Sequence, residues 1–122
     1  MTASRTAFAI RCLHWTVGLV VLLESCRTFY AAHFTLHGAG HAGILNSVRL
    51  VLSGTEIVAA LLFLIPFTTV VGGYMLLAIF GVAIVIHGLH GEFGGLEILV
   101  LYGVAVWVSL RAREDTAIAA ER

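Results

Sequence analysis

The chain has 122 residues, of which 60% are hydrophobic and 11% are charged, and its formal net charge is zero. Soluble domains carry about 25% charged residues, and a domain of this size leaves too much surface wet to hide so much apolar side chain from water. The composition therefore excludes an ordinary soluble domain, and the lack of a basic patch argues against nucleic-acid binding. We expect one domain over residues 1–122, with lipid as its solvent.

Four apolar runs predict an all-α integral membrane protein, a four-helix bundle in which each helix spans the bilayer. The predicted spans are residues 6–32, 48–65, 70–87 and 96–110. Pro66 ends the second helix, and a Gly-rich stretch after His87 predicts a turn. The tail 111–122 is polar, and we expect a frayed or short amphipathic end there.

The first run has an alternative interpretation. Arg5 and Arg11 precede it and Tyr30 is followed by two alanines, as in a cleaved signal peptide. Glu24 and Arg27 interrupt the apolar run, however. We therefore favour a membrane span.

Arginines near the two chain ends orient the predicted bundle. Arg5 and Arg11 precede the first span, and Arg111 and Arg113 follow the last. The positive-inside rule then places both termini in the cytoplasm, in agreement with an even number of spans. The connections 32–47 and 87–95 share the outer face.

Ionisable residues gather in the outer halves of the predicted spans. They are Glu24, Arg27, Arg49, Glu56 and Glu97. Glu56 lies two turns from Arg49 on one helix face, about 10 Å deeper. Because an ionisable group at the centre of a spanning helix costs about 2.5–3.5 kcal/mol, we expect a buried polar cluster in which Glu56 pairs with Arg49 or Arg27. Such a cluster either forms a pocket for a ligand, a quinone headgroup or a proton, or it only fixes helix register.

Five of the six histidines lie at the same outer face. They are His33, His37, His41, His87 and His90. The first three recur every four residues, which on a helix forms one stripe suited to a metal or haem, although Gly38 and Gly40 argue against a regular helix there. The other two are three residues apart and are compatible with ligation if the helix continues. Solvated surface histidines are the alternative.

Paired and single glycines indicate close helix contacts. Gly72-Gly73, Gly54 and Gly81 are expected to let helices approach each other, as small residues do in lipid. Gly94-Gly95 predicts a turn.

Residues 49–92 resemble the DoxX family of small four-span membrane proteins. The matching features are Arg49, Gly54-Thr55-Glu56, Pro66-Phe67-Thr68-Thr69-Val70-Val71-Gly72, and a third span that ends in His87. The resemblance implies a four-span fold. It also implies an association with redox complexes, because the family's best-known member is a subunit of a quinone-linked thiosulfate oxidoreductase.

We therefore predict an accessory subunit, not catalytic alone, of a quinone-linked oxidoreductase or respiratory complex, which forms or flanks a quinone pocket. We expect it in the cytoplasmic membrane of a bacterium or archaeon, with the lipid bilayer and other membrane or redox subunits as partners. Two alternatives stay open. One is a membrane protein that binds metal or haem through its outer histidines, and the other is a structural subunit with no ligand.

Overall fold

The structure is a computed structural model that describes the backbone of residues 2–38 and 44–122 and the side chains of residues 2–34 and 47–122. Within these residues the chain forms four helices. They are α1 (Thr2–Gly38), α2 (Ile44–Leu64), α3 (Thr69–Leu89) and α4 (Leu96–Glu121). The prediction of an all-α fold with four helices is confirmed.

Three helices extend well beyond the predicted spans. α1 continues from Ala32 to Gly38, and α2 already begins at Ile44, so most of the predicted connection 32–47 is helical. α4 continues through the tail to Glu121, where the sequence predicts a frayed or amphipathic end. The tail is rich in alanine, the strongest helix former. These helices thus continue where the apolar pattern stops, because helix propensity does not depend on an apolar environment.

The four helices form a ring in which each one packs against its sequence neighbours. α1 also packs against α4, whereas within the described residues the backbones of α1 and α3, and those of α2 and α4, do not approach each other closely. Short connections join consecutive helices, so they run antiparallel. The start of α1, the turn between α2 and α3, and the last part of α4 therefore share one end, here called the turn end. The connection between α3 and α4 lies at the opposite end, here called the mouth end.

The packed core fills the middle of the bundle and the half towards the turn end. Its buried side chains are Val17, Val21, Ala59, Ala60, Phe63, Leu76, Phe80, Val106 and Leu110. At Gly72 an added Cβ would collide with the backbone of Phe63, so α2 and α3 touch directly, as predicted. The same prediction is wrong for Gly81, where a Cβ would meet nothing within 4 Å.

Among the described residues, three helical segments are long and apolar enough to cross a membrane. They are Thr2–Phe34, Ser47–Leu64 and Thr69–Leu89. α4 differs because Glu97 and Arg111 bound its apolar part, which is about 20 Å long against a hydrocarbon thickness of about 30 Å. Large apolar side chains are exposed around the bundle, including Phe67 at 97%. Exposed apolar side chains in such number are typical of an interaction surface.

Candidate functional site

A cavity of about 650 Å³ lies at the mouth end, between all four helices. Its polar lining residues are Glu24, Ser25, Arg27, Thr28, Arg49, Ser53, Glu56, His87, His90, Glu92 and Tyr102. Its apolar wall includes Val48, Leu52, Ile86, Ile98 and Leu99. The cavity thus combines polar groups with an apolar wall.

The floor of the cavity rests on the packed core. The Tyr102 ring lies 6.4 Å from the ring of Phe80, a core residue. Ser25 and Ser53 are almost fully buried, whereas Arg27 and Glu92 are exposed at the mouth end. The cavity is therefore closed by the core below and opens at the mouth end.

Four of the five ionisable residues predicted to cluster line this one cavity. Glu24 and Arg27 come from α1, and Arg49 and Glu56 come from α2. Glu97 is not among the lining residues. It is exposed in the first turn of α4, where the positive end of the helix dipole favours a carboxylate.

The ion pairs differ from the predicted ones. Arg27 lies 3.9 Å from Glu24 on the same helix, and Arg49 lies 3.9 Å from Glu92 on the α3–α4 connection. The predicted pairing of Glu56 with Arg49 or Arg27 is therefore wrong, and the four paired side chains are exposed rather than buried. The physical reason is reach, because both arginines find a carboxylate near the mouth, whereas Glu56 lies about 10 Å deeper along α2.

The surroundings of Glu56 are polar and contain no cation at close range. No arginine or histidine of the described residues lies within 4.0 Å of its carboxylate. Ser25 of α1 lies beside it across the helix interface. Glu56 is half-buried, so it presents a carboxyl group to the inner part of the cavity.

The arginines at the mouth are held loosely. A separation of 3.9 Å exceeds the 2.7–3.2 Å of an N–H···O hydrogen bond, and exposed pairs of this kind contribute about 0–1 kcal/mol. Arg27 and Arg49 can therefore turn their N–H groups towards a ligand at small cost.

The structure places only some of the predicted histidines at the cavity. His87 and His90 lie on the cavity wall, and each Nδ1 lies 2.8 Å from the carbonyl oxygen four residues earlier, of Ala83 and Ile86 respectively. His33 lies outside the cavity lining, stacked on Phe29 with ring centroids 6.5 Å apart. The side chain of His37 and the whole of His41 fall outside the described residues. Within the described part of the chain, no group of three His, Cys, Asp or Glu residues is placed to hold a metal ion.

Five polar residues of the cavity lining lie outside the set predicted from the sequence. They are Ser25, Thr28, Ser53, Glu92 and Tyr102. A signal existed for Ser53, because it precedes Glu56 by three residues and so shares its helix face. Ser25 follows Glu24 directly and carries no such periodic signal. Tyr102 is one aromatic among the apolar residues of α4, and only the fold distinguishes it from a lipid-facing ring.

The described residues thus define a class of protein by fold and cavity. Four helices form a ring around a cavity with polar residues at its opening, and three of the helices are long and apolar enough to cross a membrane. The chain matches no family model, and comparisons with curated proteins and with solved structures find no significant match. The resemblance to the DoxX family thus stays a prediction.

Proposed function

We propose that this chain is an integral membrane protein that spans a bacterial or archaeal cytoplasmic membrane four times and holds a quinone headgroup in its cavity. In this role it is an accessory, non-catalytic subunit of a membrane oxidoreductase. The cavity at the mouth end is the observation that supports the proposal.

A membrane location accounts for the apolar surface and is compatible with the short apolar part of α4. α4 packs between α3 and α1, so it must run alongside helices that are long enough to cross. The guanidinium carbon of Arg111 lies 5.4 Å from the centre of the Trp107 ring. An interfacial tryptophan with an arginine that extends towards the headgroups compensates for a short apolar segment.

Charge distribution supports cytoplasmic termini. Four arginines, Arg5, Arg11, Arg111 and Arg113, belong to the turn end, and Arg113 donates to the carbonyl of Pro66 at 3.2 Å. At the mouth end, carboxylates outnumber arginines. The positive-inside rule then places the turn end in the cytoplasm and opens the cavity towards the outer leaflet.

The cavity suits a ring with polar substituents. Its volume falls within the roughly 300–1,000 Å³ of small-molecule sites. Leu52, Ile86 and Leu99 offer apolar contact to a ring, and the loosely held arginines offer donors to a carbonyl oxygen. A quinone reaches such a site by diffusion within the lipid. The resemblance to a family with a quinone-linked member favours the same ligand.

Binding of decylubiquinone to the purified protein in lipid nanodiscs tests the proposal. Leu52→Trp fills the cavity from α2, and Val51→Trp places the same side chain on the exposed face of the same helix. Calorimetric titration should show at least a tenfold loss of affinity in Leu52→Trp and an unchanged affinity in Val51→Trp. Absence of binding to the unaltered protein, or equal losses in both variants, would overturn the quinone assignment.

The subunit role has its own test. Mild solubilisation of native membranes should co-purify the chain with a protein that carries a visible redox cofactor, at a constant ratio through two columns. Purification of the chain alone under these conditions would contradict the accessory role.

A further inference from the structure

The hydroxyl groups of the two buried serines in the cavity lining donate their protons away from the cavity space. Ser25 donates its hydroxyl proton to the carbonyl of Val21 at 2.7 Å. Ser53 donates to the carbonyl of Arg49, also at 2.7 Å. A hydroxyl whose single proton is used in this way retains only lone pairs for another partner.

The two cavity histidines follow the same pattern. A carbonyl oxygen can only accept, so the 2.8 Å contacts place the ring proton of His87 and of His90 on Nδ1. In a neutral imidazole the other nitrogen, Nε2, is then an acceptor. His87 is half-buried and His90 is exposed, so His87 is the better placed of the two to meet a bound ligand.

The inner cavity is therefore rich in acceptors and poor in donors. Ser25, Ser53 and His87 present lone pairs, and Glu56 adds a carboxyl group with no cation within 4.0 Å among the described residues. The strong donors, Arg27 and Arg49, stand at the mouth beside Glu24 and Glu92. Tyr102 differs from the serines, because among the described residues no backbone carbonyl accepts a hydrogen bond from its hydroxyl group.

We propose that the cavity selects the reduced, hydroxyl-bearing form of its ring ligand, a quinol, over the quinone, with Nε2 of His87 accepting a hydrogen bond from one ring hydroxyl. This selectivity rests on the proposed function. A quinone carries only carbonyl acceptors at the two redox positions, so in the inner cavity it faces other lone pairs. A buried acceptor without a donor loses its hydration without compensation.

Paired titrations under anaerobic conditions test the selectivity. Decylubiquinol, decylubiquinone and the bis-O-methyl ether of decylubiquinol are each titrated into the protein in nanodiscs. The quinol should bind about tenfold more tightly than the quinone, as one additional well-placed hydrogen bond allows. The ether, which has no donor, should lose this advantage.

Substitutions at His87 test whether its Nε2 atom accepts the hydrogen bond from the quinol. Asparagine can keep the donation to the Ala83 carbonyl but has no atom near the Nε2 position, so His87→Asn should abolish the preference. Glutamine can place its amide oxygen near that position, so His87→Gln should retain part of it. His14→Asn makes the same change outside the cavity, where His14 packs against Phe63 with ring centroids 4.3 Å apart, and should leave the ratio unchanged.

The outcomes separate the two proposals. If neither the quinol nor the quinone binds, the proposed function fails. If both bind and the quinol has no advantage, or if His87→Asn keeps the full advantage while it still binds the quinone, the selectivity by His87 is overturned and the quinone site stands.

Discussion

At Gly72 the backbones of α2 and α3 lie so close that an added Cβ would strike main-chain atoms of Phe63 and Leu62. Main-chain atoms cannot rotate away as a side chain can. Gly81 lies on the same helix as Gly72, but a Cβ added at Gly81 would meet only open space. Two glycines with the same local sequence role therefore differ in their packing.

Gly72→Ala should lower the free energy of unfolding by about 1–3 kcal/mol, the usual cost of overpacking. Gly81→Ala should cause no loss and a gain of up to about 1 kcal/mol, because alanine has the better helix propensity. Unfolding by titration with sodium dodecyl sulfate in mixed micelles measures both. Equal effects in the two variants would show that the α2–α3 contact is looser than described.

Double-mutant cycles test which carboxylate Arg49 pairs with. Its guanidinium faces Glu92 and not Glu56, so the double variant of Arg49→Leu with Glu56→Gln should be additive within about 0.5 kcal/mol. The control cycle of Arg49→Leu with Glu92→Gln should show a coupling of up to about 1 kcal/mol, as exposed pairs do. A coupling to Glu56 larger than that to Glu92 would restore the pairing expected from the sequence.

At the scale of helices, the connection between α3 and α4 depends on backbone conformations that favour glycine. Gly91 has φ of +71° and Gly95, at the start of α4, has φ of +92°. These two residues bracket Glu92, which reaches Arg49 across the mouth. The connection thus places a carboxylate over the cavity through its backbone geometry.

Gly95→Ala should destabilise the protein by about 1–2 kcal/mol, because an L side chain is strained at positive φ. It should also weaken quinone binding, since relief of the strain at positive φ displaces the connection that lines the cavity. Gly94→Ala is the matched control, because the neighbouring residue does not have positive φ and its added Cβ would meet nothing within 4 Å. Stability and decylubiquinone affinity are measured for both, and a loss in the Gly94 variant as large as in Gly95→Ala would contradict this account.

The sequence predicts the helices well and the side-chain partners poorly, for physical reasons. Long apolar runs predict a helix, which locates all four, but they give no signal where α4 continues to Glu121 through an alanine-rich tail. Alternating helix direction brings Arg27 and Arg49 to one end, so their shared cavity was predictable. Their choice of Glu24 and Glu92 was not, because it depends on the path of a connection that hydropathy does not describe.

At the scale of the whole molecule, the two halves of the bundle differ in packing. Towards the turn end, Phe63 and Leu76 are fully buried, and close contacts such as that at Gly72 bring helices together. Towards the mouth end the helices leave about 650 Å³ between them. Tight packing of one half fixes the positions of the helices, and this supports the open cavity with its polar groups in the other half.

The number of spans and their direction decide which side of the membrane the cavity faces. In a background without Cys12 and Cys26, single cysteines are introduced by Phe93→Cys in the α3–α4 connection and by Ala119→Cys near the end of α4, both at exposed positions. With four spans and cytoplasmic termini, a membrane-impermeant maleimide applied from outside should label the cysteine at position 93 and spare the one at 119. If α4 does not cross, both sites lie on one side and both are labelled, whereas the reverse pattern would place the cavity on the cytoplasmic side. Labelling of permeabilised cells controls for access, since both cysteines should then react.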